Sequence, residues 1–237
     1  MSTECKGKLV AVEGIDASGK TSIARLLASH LGERLGASTV LTREPTDGPV
    51  GQLIRSLLHS QAMLDPWMMA LLYAADRRWH LYERQWNGLD CAGVVGCLRA
   101  GAVVVTDRYY YSSLAYQTAG VYERSPPPLE WVARVNSFAP APHVLVYVDS
   151  PVEEAARRLA GRGSRSFFER EYRRLEALRL SFERVLSRLD EIESLKGGSP
   201  DCRTVRVPHV VRVVNSGGRP LEDVALEALE GVLSRLG

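Results

Sequence analysis

Short apolar, β-branched runs alternate along the chain with longer segments of helical period. "KLVAVEG" (8–14), "STVLTR" (38–43), "GAVVVTD" (101–107) and "HVLVYVD" (143–149) are too continuously apolar to be one-sided, the pattern of strands buried on both faces. Between them, "GKTSIARLLASHLGERLG" (19–36) is amphipathic and stops at Gly36, and "DPWMMALLYAADRRWHLYERQW" (65–86) opens with Asp65 as N-cap and Pro66 in its first turn. On this second helix Tyr73, Asp76, Arg77 and His80 share one face, and Met68, Leu71, Leu72, Ala75 and Trp79 share the opposite one. The apolar stripe is expected to be core and the polar face to be either solvated or a ligand surface. Residues 150–195 read as helical except at "GRGSR" (161–165). After the break at "KGGSPD" (196–201), residues 202–215 hold one or two strands around Pro208, with 203–207 open between edge strand and loop. "RPLEDVALEALEGVLSRL" (219–236) closes as a helix. This β-α-β-α order predicts an α/β fold with a mostly parallel sheet covered on both faces. A chain of 237 residues is long enough for one such domain with one sizeable core.

Composition narrows the partners. With 45% hydrophobic and 24% charged residues the chain is neither disordered nor fibrous, and a formal charge of +2 gives no ground for a nucleic-acid or membrane partner. Only Lys6, Lys8, Lys20 and Lys196 of the 30 basic residues are lysines. The remainder are arginines, whose planar fork suits phosphate without demanding it. Cys5, Cys91, Cys97 and Cys202 show neither paired spacing nor the density of a secreted scaffold, so reduced thiols in a cytoplasmic protein are expected. No run approaches the ~20 apolar residues of a membrane helix.

"GIDASGKT" (Gly14, Ile15, Asp16, Ala17, Ser18, Gly19, Lys20, Thr21) fits G-x-x-x-x-G-K-[ST] between a predicted strand and a predicted helix. Glycines let the backbone turn its N–H groups around phosphate oxygens, Lys20 reaches the β/γ-phosphates, and Thr21 offers a hydroxyl to Mg²⁺. The chain is therefore expected to bind ATP with Mg²⁺. Asp107, ending "GAVVVTD", is the candidate second metal-side group. It is also well placed simply to cap the helix that follows.

Two segments offer an acceptor surface: the polar face of 65–86 and "TDRYYYSSLAYQ" (106–117). Together with "GIDASGKT" and "TREP" (42–45), their "YAADR" (73–77) and "DRYYYSSLAYQ" (107–117) resemble the thymidylate kinases across roughly residues 8–195. The resemblance implies a P-loop NTPase fold, three layers α/β/α around a five-stranded sheet, with a helical lid at about 157–170 in a single domain spanning 1–237. It implies phosphorylation of dTMP by ATP in a homodimer. By position it places Asp16 near the substrate 3′-hydroxyl and metal, and Arg43 and Arg108 on the acceptor phosphate. Tyr73 stands where an aromatic stacks on thymine, Arg77 where an arginine binds a base carbonyl, and Ser113 at the base edge, with Gln117 also assigned to substrate binding. Tyr116 would pack under the deoxyribose and disfavour a 2′-hydroxyl.

Catalysis then reduces to aligning two anions and cancelling their charge, because the attacking phosphate oxygen is already ionised. Members of the resembled family carry a catalytic arginine either in the phosphate loop or in the lid. Ala17 removes the first option, so the lid should supply it. Arg157, Arg158 and Arg173 have helical ion-pair partners in Glu153, Glu154 and Glu169, whereas Arg162 and Arg165 lie in the glycine break and are chosen. The chain departs from the family at "TDGPVG" after "TREP", and 84–101 and 196–210 look longer than usual. Two other readings stand beside this one. A deoxynucleoside kinase would use Glu44 as base on a neutral 5′-hydroxyl, and a nucleotide-binding module would have no turnover.

Overall fold

The computed structural model describes residues 5–60, 64–86, 90–122, 124–161 and 165–236, the side chains of 165 and 166 excepted. Five parallel strands form one sheet in the order β2-β3-β1-β4-β5. They are β1 (Lys8–Glu13), β2 (Thr39–Arg43), β3 (Val103–Asp107), β4 (Val144–Asp149) and β5 (His209–Val214). The continuous apolar runs behave as their pattern predicts. On β1, Leu9 and Ala11 enter one core while Val10 and Val12 enter the other, so successive residues are buried on opposite faces.

One layer is α1 (Lys20–Leu35) with α10 (Leu221–Leu236), which meet the sheet through Ile23, Leu27, Leu31, Val224 and Val232. The other contains α4 (Gly93–Arg99), α5 (Tyr110–Thr118) and α8 (Arg165–Leu186), packed through Val94, Leu98, Leu114, Leu178 and Phe182. Around this frame lie α2 (Pro49–His59), α3 (Pro66–Tyr82), α6 (Leu129–Val135), α7 (Val152–Ala160) and α9 (Leu189–Lys196). Among the described residues no helix is long and apolar enough to cross a membrane.

Several expectations change. The long segment 84–101 contains α4, and α2 follows "TREP"; periodicity had singled out neither. Residues 203–207 carry no strand of their own. They are tied instead by the Cys5 N–H donating to the Arg203 carbonyl (3.2 Å) and by Thr204 Oγ1 donating to Ala141 O (2.6 Å). The cysteines are not reduced thiols: Cys5 bridges Cys202 and Cys91 bridges Cys97. Pairs 197 residues apart cannot be seen in local spacing, because only the fold brings β1's start beside the tail before β5.

The largest reversal concerns α3. Asp76, Arg77 and His80 are its buried face, while Met68, Leu71 and Ala75 are exposed. Burying that polar face is affordable because every member finds partners. Asp76 accepts from Thr46 N (2.7 Å) and Thr46 Oγ1 (2.5 Å), and His80 lies between Thr42 Oγ1 (2.7 Å) and Glu44 Oε1 (3.1 Å).

Candidate active site

All five strands point their C-terminal ends to one edge, where β1 leads into the phosphate loop and β2 into Glu44. There β3 delivers Asp107 and Arg108, and β5 leads into Asn215. The loop has left-handed turns at Ala17 (φ 59°) and Gly19 (φ 92°), and α1 starts without a side-chain cap, leaving its first N–H groups open to an anion. Gly19 is required, since a Cβ there would lie 2.5 Å from Asn215 Nδ2, which itself donates to Ser18 O (2.8 Å). Lys20 Nζ donates to Ile15 O (2.9 Å). Burial, reinforced by Arg108, lowers the Lys20 ammonium to about 8 against the raising pull of Asp16, Asp107 and Glu13.

Thr21 Oγ1 donates to Asp107 Oδ2 (2.5 Å), and Asp107 Oδ1 is buried with no hydrogen-bond partner. Two oxygen donors, one with an unused acceptor, are the ligand set a hard divalent cation selects. A cleft of about 420 Å³ opens from this end of the loop, lined by Lys20, Thr21, Arg158, Asn215, Gly217 and Arg219.

Asp16 lines a more enclosed cavity of about 340 Å³ together with Tyr73, Arg77, Arg108, Ser113, Tyr116, Gln117 and Arg174 among others. Asp16 joins its two walls. One carboxylate oxygen receives Arg108 Nη2 and Tyr116 Oη (2.9 Å), and the other receives Arg174 Nη2 (3.0 Å) from α8. Burial alone would raise the Asp16 carboxyl, but Arg108, Lys20 and Arg174 outweigh it and hold the group well below the carboxylate range. Arg77 is fully buried. It donates through Nε (2.9 Å) and Nη2 (2.5 Å) to Glu44 Oε2, through Nη2 to Ser113 Oγ (3.2 Å) and through Nη1 to Asn136 Oδ1. Gln117 is 2% exposed, and its Oε1 has no partner.

The chain is also similar to known proteins. The family model described as thymidylate kinase matches residues 12–195. The chain belongs to the thymidylate kinase family. A putative thymidylate kinase of Aeropyrum pernix is 42% identical over 230 residues, 97% of this chain and 98% of the relative. A probable thymidylate kinase of Pyrococcus abyssi is 38% identical over 192 residues, 79% and 86% of the two chains. The solved thymidylate kinase of Candida albicans superposes with a TM-score of 0.65 at 23% identity, covering 98% of this chain and 93% of that one, and shares the fold.

Within this thymidylate kinase frame most sequence-selected residues converge, and some do not. Tyr73, Arg77, Arg108, Ser113, Tyr116 and Gln117 line one cavity with Asp16. Arg43 stands apart from it. Strand alternation turns Thr42 inward to His80 and Arg43 the opposite way, so Arg43 pairs with Asp47 (3.0 Å) and lines a separate 210 Å³ cleft with Arg25, Arg84 and Asp107. Arg162 lies outside the described residues, as does the side chain of Arg165. The sequence reading discounted Arg158 as a helix-paired residue and left Arg174 unassigned. Arg158 does pair with Glu154 (3.1 Å), yet its Nη1 also reaches Ala17 O (3.0 Å), and Arg174 reaches Asp16. Their sequence signal was only position on a helix, which cannot tell which arginines the fold turns toward the loop.

Proposed function

We propose that this kinase transfers the γ-phosphoryl group of ATP to the 5′-phosphate of dTMP, giving dTDP and ADP on the route to dTTP. The observation that carries this reading is Asp16, a phosphate-loop residue that lines a cavity where Arg108 and Arg174 meet it beside buried Arg77, Ser113 and Gln117. On this reading the loop residues Gly14 to Thr21 hold ATP. Arg108 and Arg174 neutralise the acceptor phosphate, and Tyr73 stacks on the base. Arg77 and Ser113 meet the base edge, and Tyr116, held by Asp16, fills the space a 2′-hydroxyl would need. The unpaired acceptor Gln117 Oε1 suits the imide N–H of a thymine or uracil and has no donor to meet on the corresponding nitrogen of cytosine. Arg43 would act from the metal side rather than on the acceptor.

Thr21 and Asp107 would hold Mg²⁺, which supplies charge neutralisation when bound. Lys20 is poised for the β/γ-phosphates, and an arginine from the lid, among Arg158, Arg162 and Arg165, would meet the transferring group. The chain acts as one kinase domain in the cytoplasm. It pairs as a homodimer through α2 and α3, on which Leu53, Met68 and Leu71 are exposed.

Glu44 speaks against the deoxynucleoside-kinase reading. One of its oxygens carries two contacts from Arg77 and the other faces His80. Burial would raise its pKa, but Arg77 and His80 hold the carboxyl low, so it is a weak and already occupied base. The test is an ADP-release assay with Mg-ATP over dTMP, dUMP, UMP, dCMP, AMP and thymidine. Turnover is expected with dTMP, less with dUMP and at least ~100-fold less with dCMP and UMP. Turnover with thymidine but not dTMP would refute the assignment.

A further inference from the structure

Arg108 is bound on three sides. Its backbone is left-handed (φ 70°), an uncommon state for a residue with a Cβ that persists only where surroundings enforce it. Before the kink, Arg108 N donates to Val12 O (3.0 Å) and Thr106 Oγ1 donates to Arg108 O (2.8 Å). After it, the start of α5 has no side-chain cap of its own. The next residue's N–H and that of Ser112 both donate to a single oxygen, Glu13 Oε1, at 2.8 Å and 3.0 Å.

Glu13 is the last residue of β1, separated from Ser112 by 99 positions, and is 1% exposed. Its second oxygen, Oε2, receives the Ser112 hydroxyl (2.5 Å), and the same hydroxyl accepts from Arg108 Nη1 (3.2 Å). The carboxylate thus grips the arginine twice, through the backbone that follows it and through a one-hydroxyl relay to its guanidinium.

From this geometry we infer that Glu13 is the positioning residue for Arg108, setting the place of the acceptor-phosphate arginine without touching either nucleotide. The structural alternative is that Glu13 only caps α5 from a neighbouring strand. A cap satisfies N–H groups alone, whereas Oε2 spends its contact on the hydroxyl that orients the guanidinium. Removing the carboxylate would leave two buried N–H groups unpaired and free the kink to relax, and a displacement of about 1 Å in a charge clamp is enough to lose much of its effect. Gln in its place keeps an oxygen for both N–H groups and an amide donor for Ser112 Oγ, so most of the placement should survive.

This inference rests on the proposed phosphorylation of dTMP, and the two fail separately. The steady-state constants for dTMP and ATP are measured for wild type, Glu13→Gln, Glu13→Ala and Ser112→Ala, alongside their melting temperatures. Glu13→Ala is expected to raise KM for dTMP by about 30-fold and Ser112→Ala by about 10-fold, with KM for ATP moving less than ~3-fold. Glu13→Gln should stay within ~5-fold of wild type. A folded Glu13→Ala with unchanged KM for dTMP overturns the inference. So does a parallel rise in both KM values that Glu13→Gln fails to rescue. If Glu13→Ala does not fold, an unchanged KM for dTMP in Ser112→Ala overturns it. A wild-type enzyme inactive on dTMP defeats the proposed function instead. Arg108's placement is then read from calorimetric titration of inorganic phosphate with the loop filled by a non-hydrolysable ATP analogue. The affinity should drop in Glu13→Ala and hold in Glu13→Gln, and equal affinities in all three would refute the role of Glu13.

Discussion

At the scale of single residues the site is organised by charge taken out of water. Lys20 is 5% exposed and faces Asp16, Asp107 and Glu13, yet burial prevails and brings its ammonium to about 8. A lysine charged below that value and neutral above it gives a directional expectation: in the free enzyme kcat/KM for ATP should fall as pH rises through about 8. A flat profile from pH 7 to 10 would show that Lys20 keeps its proton. Asp16 behaves oppositely, because the arginines on either side outweigh its desolvation, so it stays ionised across the working range. Lys20 and Asp16 were legible in the chain because they fall inside the phosphate-loop motif, and Asp107 because it ends an apolar strand run. Arg43 was legible as a charged residue beside the site, but not in direction, since the side of a strand it takes depends on which face β2 buries.

At the scale of elements α7 carries the sharpest expectation. Arg157 and Arg158 are adjacent and both pair with Glu154, but only Arg158 extends to the phosphate loop, touching Ala17 O. Arg158→Ala should lower kcat by at least ~100-fold with KM for dTMP little changed, and Arg157→Ala should be nearly silent. Near-normal turnover of Arg158→Ala, with a collapse in Arg162→Ala or Arg165→Ala, would return the lid role to the glycine break. The α3 helix shows why an amphipathic pattern does not name its own inside. Its two faces were readable from spacing, yet the polar one is buried because Glu44, Thr46, Asn136 and Ser113 arrive from other elements to satisfy Arg77 and Asp76. Met68, Leu71 and Ala75 of the apolar face are left outside, where the proposed homodimer would cover them. A Leu71→Glu, Met68→Glu double variant should run as a monomer in light scattering where wild type runs as a dimer; a monomeric wild type would refute the interface.

At the scale of the whole molecule the Cys5–Cys202 bridge ties the first strand to the segment before the last, closing a loop 197 residues apart in sequence. In the chain-entropy account such a closure contributes about 5 kcal/mol, against about 2 kcal/mol for the six-residue separation of Cys91 and Cys97. Reducing agent, or Cys202→Ser, should therefore lower Tm by several degrees or more, and Cys91→Ser by less. Equal Tm values with and without reductant would show that the long bridge does not form in solution.

The sequence by itself determined the layered α/β class, the phosphate loop and the acceptor segment after β3. Each rests on residues close in the chain: continuous apolar runs, period-3.6 burial, glycine turns, and a strand running straight into the residues that follow it. Only the tertiary structure decided which face of α3 is core, that Arg174 rather than Arg43 joins Arg108 beside Asp16, that Cys5 pairs with Cys202, and that Glu13 reaches across from β1 to hold Arg108. Those outcomes depend on partners tens to nearly two hundred positions away. A buried charge is stable only where such partners meet it, and local pattern carries no record of who will.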